Sequence, residues 1–154
     1  MVDLKGPPRP SFFTAAALLL LVLAPAPHAQ SMLLIGGPIE LYVDGSTMEA
    51  GQSVDSDATT LIFWEGRQRP KKITVETSAP GQVYGLTTEL VFVLGEGVPQ
   101  GTVDLVDGMF PQDYVRNIRN KKEGFGLIRY TARVAPGQGA GEDVHTVIYT
   151  LIDQ

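Results

Sequence analysis

The chain has 154 residues, enough for one domain, with ordinary hydrophobic content, a formal charge of −5 and no cysteine. The missing cysteine excludes disulfides, thiolate metal sites, a cysteine nucleophile and lipid attachment through a thiol. The acidic balance argues against general or specific nucleic-acid binding and leaves only local basic patches for anionic partners.

Lys5 and Arg9 precede an apolar run from Phe12 to Ala24, and Pro25 to Ala29 is short, helix-breaking and rich in small residues. This layout predicts a signal peptide over 1–29, cut near Ala29 or Gln30. The run is short against the roughly 20 apolar residues that a bilayer span needs, so no transmembrane segment is expected after processing. The expected product is a single secreted or periplasmic domain over 30–154, with His145 as its one histidine. An exported chain with neither cysteine nor a glycosylation sequon leans bacterial.

Ser31 to Ile35 and Ile39 to Val43 read as one first strand broken by Gly36, Gly37 and Pro38. A polar, acidic loop follows. Thr59 to Trp64 is a near-continuous apolar run and predicts a buried strand. Lys71 to Thr77 alternates, with Ile73 and Val75 on one face. Val83 to Leu94 is the clearest strand: Tyr84, Leu86, Leu90, Phe92 and Leu94 share the even positions, that face is expected to line the core, and its twelve-residue length predicts a bend or bulge near Gly85. Thr102 to Val106, Asp113 to Ile118, Phe125 to Ala135 and Val144 to Ile152 complete the series, with Asp113 to Ile118 favoured as strand over a helical turn. Gly95 to Gly101 reads as a turn, and every proline after residue 30 is expected between strands. Seven to eight short strands with turn signals between them predict an all-β fold, an antiparallel immunoglobulin-like β-sandwich.

The runs KKITVET, PQDYVRNI and RYTARVAPGQGAGEDVHTVIYTLID resemble those of small, cysteine-free secreted bacterial β-sandwich proteins of no assigned function. The resemblance spans residues 59–154. It implies the fold and the bacterial lean, and it carries no activity.

Catalytic signatures are absent. No G-x-S-x-G, H-E-x-x-H or phosphate loop occurs, and His145 sits in a predicted strand, so the expectation is a non-enzyme with no catalytic residues. A hydrolase would need His145 in a pocket beside an acid and a hydroxyl. Asp55, Asp57, Glu142 and Asp143 are weak Ca²⁺ candidates, because hard cations need six to eight converging oxygens. Otherwise no cofactor is expected. Trp64, Tyr42, Tyr114 and Tyr149 are candidate sugar platforms, although an apolar strand end suits Trp64 to the core.

Charge placement carries the functional expectation. Arg67, Arg69, Lys71 and Lys72 cluster at one turn, and Arg116, Arg119, Lys121 and Lys122 at another. If each connection reverses direction, both basic turns meet at one end of the domain. Asp44, Glu49, Asp55, Asp57, Asp107, Asp113, Glu142 and Asp143 gather at the opposite end. Such a domain is expected to act by self-association or by contacting an envelope protein or an anionic polymer, with Arg67, Arg69, Lys71, Lys72, Arg119, Lys121 and Lys122 as interaction residues. A small carbohydrate- or Ca²⁺-binding module is the alternative.

Overall fold

The computed structural model describes residues 31–41, 53–67, 69–134 and 142–154, with the side chains of 53–55 excluded. The expected signal segment, Tyr42, Asp44, Glu49 and the Asp55 side chain lie outside the described residues. Within them the chain is all-β, with no helix and nine strands in two antiparallel sheets.

The first sheet contains β1 (Ser31–Ile35), β2 (Ser53–Gly66), β4 (Gly85–Gly95), β6 (Val103–Leu105) and β8 (Lys122–Arg133). Their order is β1-β2-β8-β4-β6. The second sheet contains β3 (Lys71–Ser78), β5 (Val98–Pro99), β7 (Gln112–Ile118) and β9 (Thr146–Asp153), ordered β5-β7-β3-β9. From β2 onward every connection passes from one sheet to the other, so most strand pairs join distant parts of the chain.

One core lies between the sheets. Ile62 and Trp64 of β2, Ile128 and Tyr130 of β8, and Leu86 of β4 face Ile73 and Val75 of β3, Tyr114, Val115 and Ile118 of β7, and Tyr149 of β9. Alternation selects these residues in β2, β3 and β8, because successive side chains point to opposite faces, whereas adjacent Tyr114 and Val115 are both buried where the β3–β7 ladder shifts register. Residues 36–41 form no strand, yet Ile39 and Leu41 pack against this core. Residues 112–118 are strand, the favoured reading of that segment.

The expected second half of the first strand is not strand over 39–41, and two further expectations need correction. Pro99 lies within β5 rather than between strands. This two-residue bridge sits at a sheet edge, where a missing N–H costs no ladder bond. The second correction concerns β4. Leu90 pairs with Ile128 and Phe92 with Leu127, so Val91 is an extra residue in a β-bulge. A bulge inverts the facing of everything beyond it. Leu86, Thr88 and Leu90 therefore point inward, while Phe92 and Leu94 point outward and are 47% and 50% exposed. Val93 takes the inner position against the core in their place. Gly126 accommodates the irregularity: a Cβ there would lie 2.8 Å from Leu90 Cδ2 and 2.9 Å from the Phe92 carbonyl oxygen.

Candidate interaction face and the two ends

The bulge completes an apolar surface on the outer face of the five-stranded sheet. The register places Leu33, Phe63, Phe125 and Leu94 in one row across β1, β2, β8 and β4. Ile35, Leu61, Leu127 and Phe92 form the next row. Phe125 joins the two rows: its ring stacks on Phe63 at 5.5 Å and tilts against Phe92 at 5.9 Å. Leu33 is 57% exposed, and Ile35 and Phe63 are also open to solvent. Contiguous apolar side chains on an outer sheet face mark interaction sites more often than scattered ones do. An open depression runs among Leu33, Phe63, Leu94 and Phe125.

Charge frames this surface. Glu65 and Glu123 face each other across β2 and β8 at one margin. Glu65 is held by Arg67 through a two-pronged contact, Nε to Oε1 at 2.8 Å and Nη2 to Oε2 at 2.8 Å. Those bonds lower the Glu65 pKa. Glu123 is exposed and forms no ion pair with a described residue. At the opposite margin Arg129 pairs with Glu89 at 3.2 Å.

The two basic turns do meet at one end. Lys121 N donates to Gly66 O at 2.7 Å, and Gln154 N donates to Pro70 O at 3.0 Å. Much of the expected positive charge is neutralised there. Arg67 pairs with Glu65, Lys71 with Asp153, Lys72 with Asp113, and Arg119 with Glu96. Lys71 is only 3% exposed, so it is a buried ion-pair residue. Arg69, Lys121 and Lys122 are exposed. Sequence spacing located the turns and sets Glu65 two residues from Arg67, but Asp153, Asp113 and Glu96 come from other strands or turns, so those partners were not legible.

The acidic residues of the other end also have structural work. Asp107 Oδ1 accepts from Ala79 N at 2.8 Å. Asp143 Oδ2 accepts from Val83 N at 2.7 Å and Tyr84 N at 2.6 Å. Asp57 accepts from the amide and hydroxyl of Thr59. Asp113, the second residue of β7, lies opposite Thr74 in the middle of β3, not at the acidic end, and joins Lys72 and Arg116. Among the described residues no three acidic or histidine side chains converge as a metal site would require, and Glu142 is exposed.

His145 lies beside both an acid and a hydroxyl. Its Nδ1 is 3.3 Å from Thr77 Oγ1 and its Nε2 is 3.9 Å from Asp143 Oδ2. The second distance exceeds hydrogen-bond reach. Thr77 is buried, and Asp143 Oδ2 already takes two backbone amides. Burial lowers the His145 pKa, with Asp143 and Asp107 opposing the shift. The group fastens the start of β9 to β3 and to the residues before β4.

The candidate sugar platforms among the described residues, Trp64, Tyr114 and Tyr149, are interior. Trp64 is 2% exposed, donates Nε1–H to Glu96 O at 2.7 Å, and packs on Gly124. Tyr114 and Tyr149 are buried. The aromatic surface consists of Phe63, Phe92 and Phe125, which the sequence reading missed. The length of the run from Val83 to Leu94 predicts a bend or bulge near Gly85, but the bulge lies at Val91, which a strict two-residue period does not show, although Gly126 in the neighbouring strand is a signal for it. In comparisons with known proteins, no family model, curated protein or solved structure matches this chain.

Proposed function

We propose that this chain is a secreted or periplasmic, non-enzymatic interaction domain that works through the outer face of its five-stranded sheet. The observation carrying this reading is the double apolar row that the Val91 bulge completes. Export of Phe92 and Leu94 from the core is costly unless their exposure is used, since burying such a side chain is worth roughly 1.5–3 kcal/mol. The N-terminal segment, read as a signal peptide, supports export, and the runs that resemble small bacterial secreted proteins agree with it.

The finer fold proposed is a β-sandwich. The sequence led to an immunoglobulin-like form, in which some consecutive strands stay in one sheet. Sheet-to-sheet crossing at every connection after β2 favours a jelly-roll winding instead.

The outer face replaces the basic end as the leading interaction surface, because Arg67, Lys71, Lys72 and Arg119 are engaged in ion pairs. Apolar contact predicts association that persists at about 0.5 M salt, where screened charge contacts fade. The test compares wild type with Phe92→Ser and Leu94→Ser. Self-association at two salts, capture of envelope proteins and binding to neutral phospholipid vesicles are measured together. The reading requires at least one of these activities, and both substitutions must reduce it. Binding that these variants retain, or that a change at Lys121 and Lys122 removes instead, overturns it.

A further inference from the structure

Along β8 the outward residues from its start are Glu123, Phe125, Leu127 and Arg129, with Thr131 and Arg133 beyond this stretch. An acid, two apolar residues and a base form a self-complementary sequence under a reversal of direction. We propose that the occupant of the apolar face is a second copy of this chain, packed face to face about a two-fold axis that runs across the strands at the level of Gly126. This inference rests on the interaction-face reading above and commits it to one partner.

The axis has consequences that can be followed residue by residue. It lays each row of one copy over the other row of its mate: Phe125 over Leu127, Phe63 over Leu61, Leu94 over Phe92, and Leu33 over Ile35. Every one of these contacts is apolar. At both margins Glu123 of one copy meets Arg129 of the other, so the exposed Glu123 shares a guanidinium that also holds Glu89 of its own chain. A two-fold interface repeats each contact, which gives two such pairs.

The alternative axis, running along the strands, brings Glu65 and Glu123 of one copy onto the same acids of its mate. Like charges at close range oppose that arrangement. Charge thus selects between two packings that the apolar rows alone would allow. Aligned packing of two sheets about 10 Å apart is the ordinary geometry for such faces.

The footprint spans four strands and the stretch of β8 from Glu123 to Arg129, roughly 20 Å by 20 Å from strand spacing and rise. This is small beside the about 800 Å² of accessible surface that each partner buries in a standard interface. A weak dimer is therefore expected, with association visible towards the top of a range of roughly 1 μM to 1 mM.

Sedimentation over that range tests the proposal with wild type, Glu123→Arg, Arg129→Glu and the double variant. Each single change is expected to weaken dimerisation roughly three- to thirtyfold, and the double swap to recover most of the loss. A second arm avoids dependence on charge swaps that disturb the fold. The chain has no cysteine, so Glu123→Cys mixed with Arg129→Cys should cross-link through a short thiol reagent, while Glu123→Cys alone should not. A chain that stays monomeric throughout overturns the second-copy proposal, as does a dimer that neither charge change weakens. Failure of the double swap to recover, combined with no mixed cross-link, overturns the axis. Monomeric protein that binds neutral phospholipid vesicles through Phe92 also overturns it, while leaving the interaction-face reading intact. Only loss of every Phe92-dependent activity removes both.

Discussion

The hydroxyl of Tyr130 in the five-stranded sheet lies 2.9 Å from the hydroxyl of Tyr149 in the four-stranded sheet, inside the core. Thr88 Oγ1 extends the link, 3.2 Å from Tyr149 and 3.1 Å from the Tyr114 hydroxyl. The rings of Tyr114 and Tyr149 tilt against each other at 5.3 Å. Two strands from each sheet thus meet at one buried polar cluster. No buried side-chain polar atom among the described residues lacks a partner.

Tyr149→Phe keeps the ring and removes the hydroxyl at the centre of this cluster. Thr88 and Tyr130 each lose a partner in a place water does not reach. The expected loss is about 1–3 kcal/mol, read as a lower urea midpoint with an unchanged slope. A variant as stable as wild type would show that the cluster adds nothing to the pairing of the sheets.

The same tyrosines set an alkaline limit. Burial raises the pKa of Tyr114, Tyr130 and Tyr149 above the ordinary 10.0. The unfolded chain releases these protons first, so it binds fewer of them in alkali. Stability is then fully present below about pH 10 and falls as the pH rises beyond it. Phenolate absorbance should show these three groups ionising only as the protein unfolds. Ionisation of all tyrosines near pH 10 with the fold intact is the contrary result.

Gly124 tests the packing of the single tryptophan. A Cβ at this position would lie 2.5 Å from two atoms of the Trp64 indole. Backbone fixes both partners, so Gly124→Ala must move the ring and strain its bond to Glu96 O. The expected cost is about 1–3 kcal/mol, the range for overpacking, with a red shift of Trp64 fluorescence as the ring meets water. An unshifted spectrum at wild-type stability would contradict the close approach.

Deletion in a long strand is ordinarily severe, because a one-residue slip reverses every later side chain. Val91 is the exception here. Without it, Leu90, Phe92, Val93 and Leu94 already alternate inward and outward as β4 requires. Removal of Val91 should leave a folded protein within about 2 kcal/mol of wild type, whereas removal of Thr88 should abolish folding. Circular dichroism and thermal melting compare the two. Equal damage from both deletions would refute the bulge.

Much of the strand inventory was legible because burial imposes a period of two on residues such as Ile73, Val75, Ile128 and Tyr130. Glycine and proline marked nearly all the breaks, and reversal at each connection placed Arg67 and Lys121 at one end. Composition determined that the fold must hold without disulfides. Partnership was not legible. Periodicity is a local property, while β2 pairs with β8 and Lys71 with Asp153 across most of the chain. The apolar surface depended on both levels. Sequence supplied Phe63, Phe92 and Phe125, each at a position compatible with either face. Tertiary structure decided which way they point: β8 runs beside β4 with one residue fewer, and Val91 takes up the difference. That single extra residue separates a core strand from an interaction face.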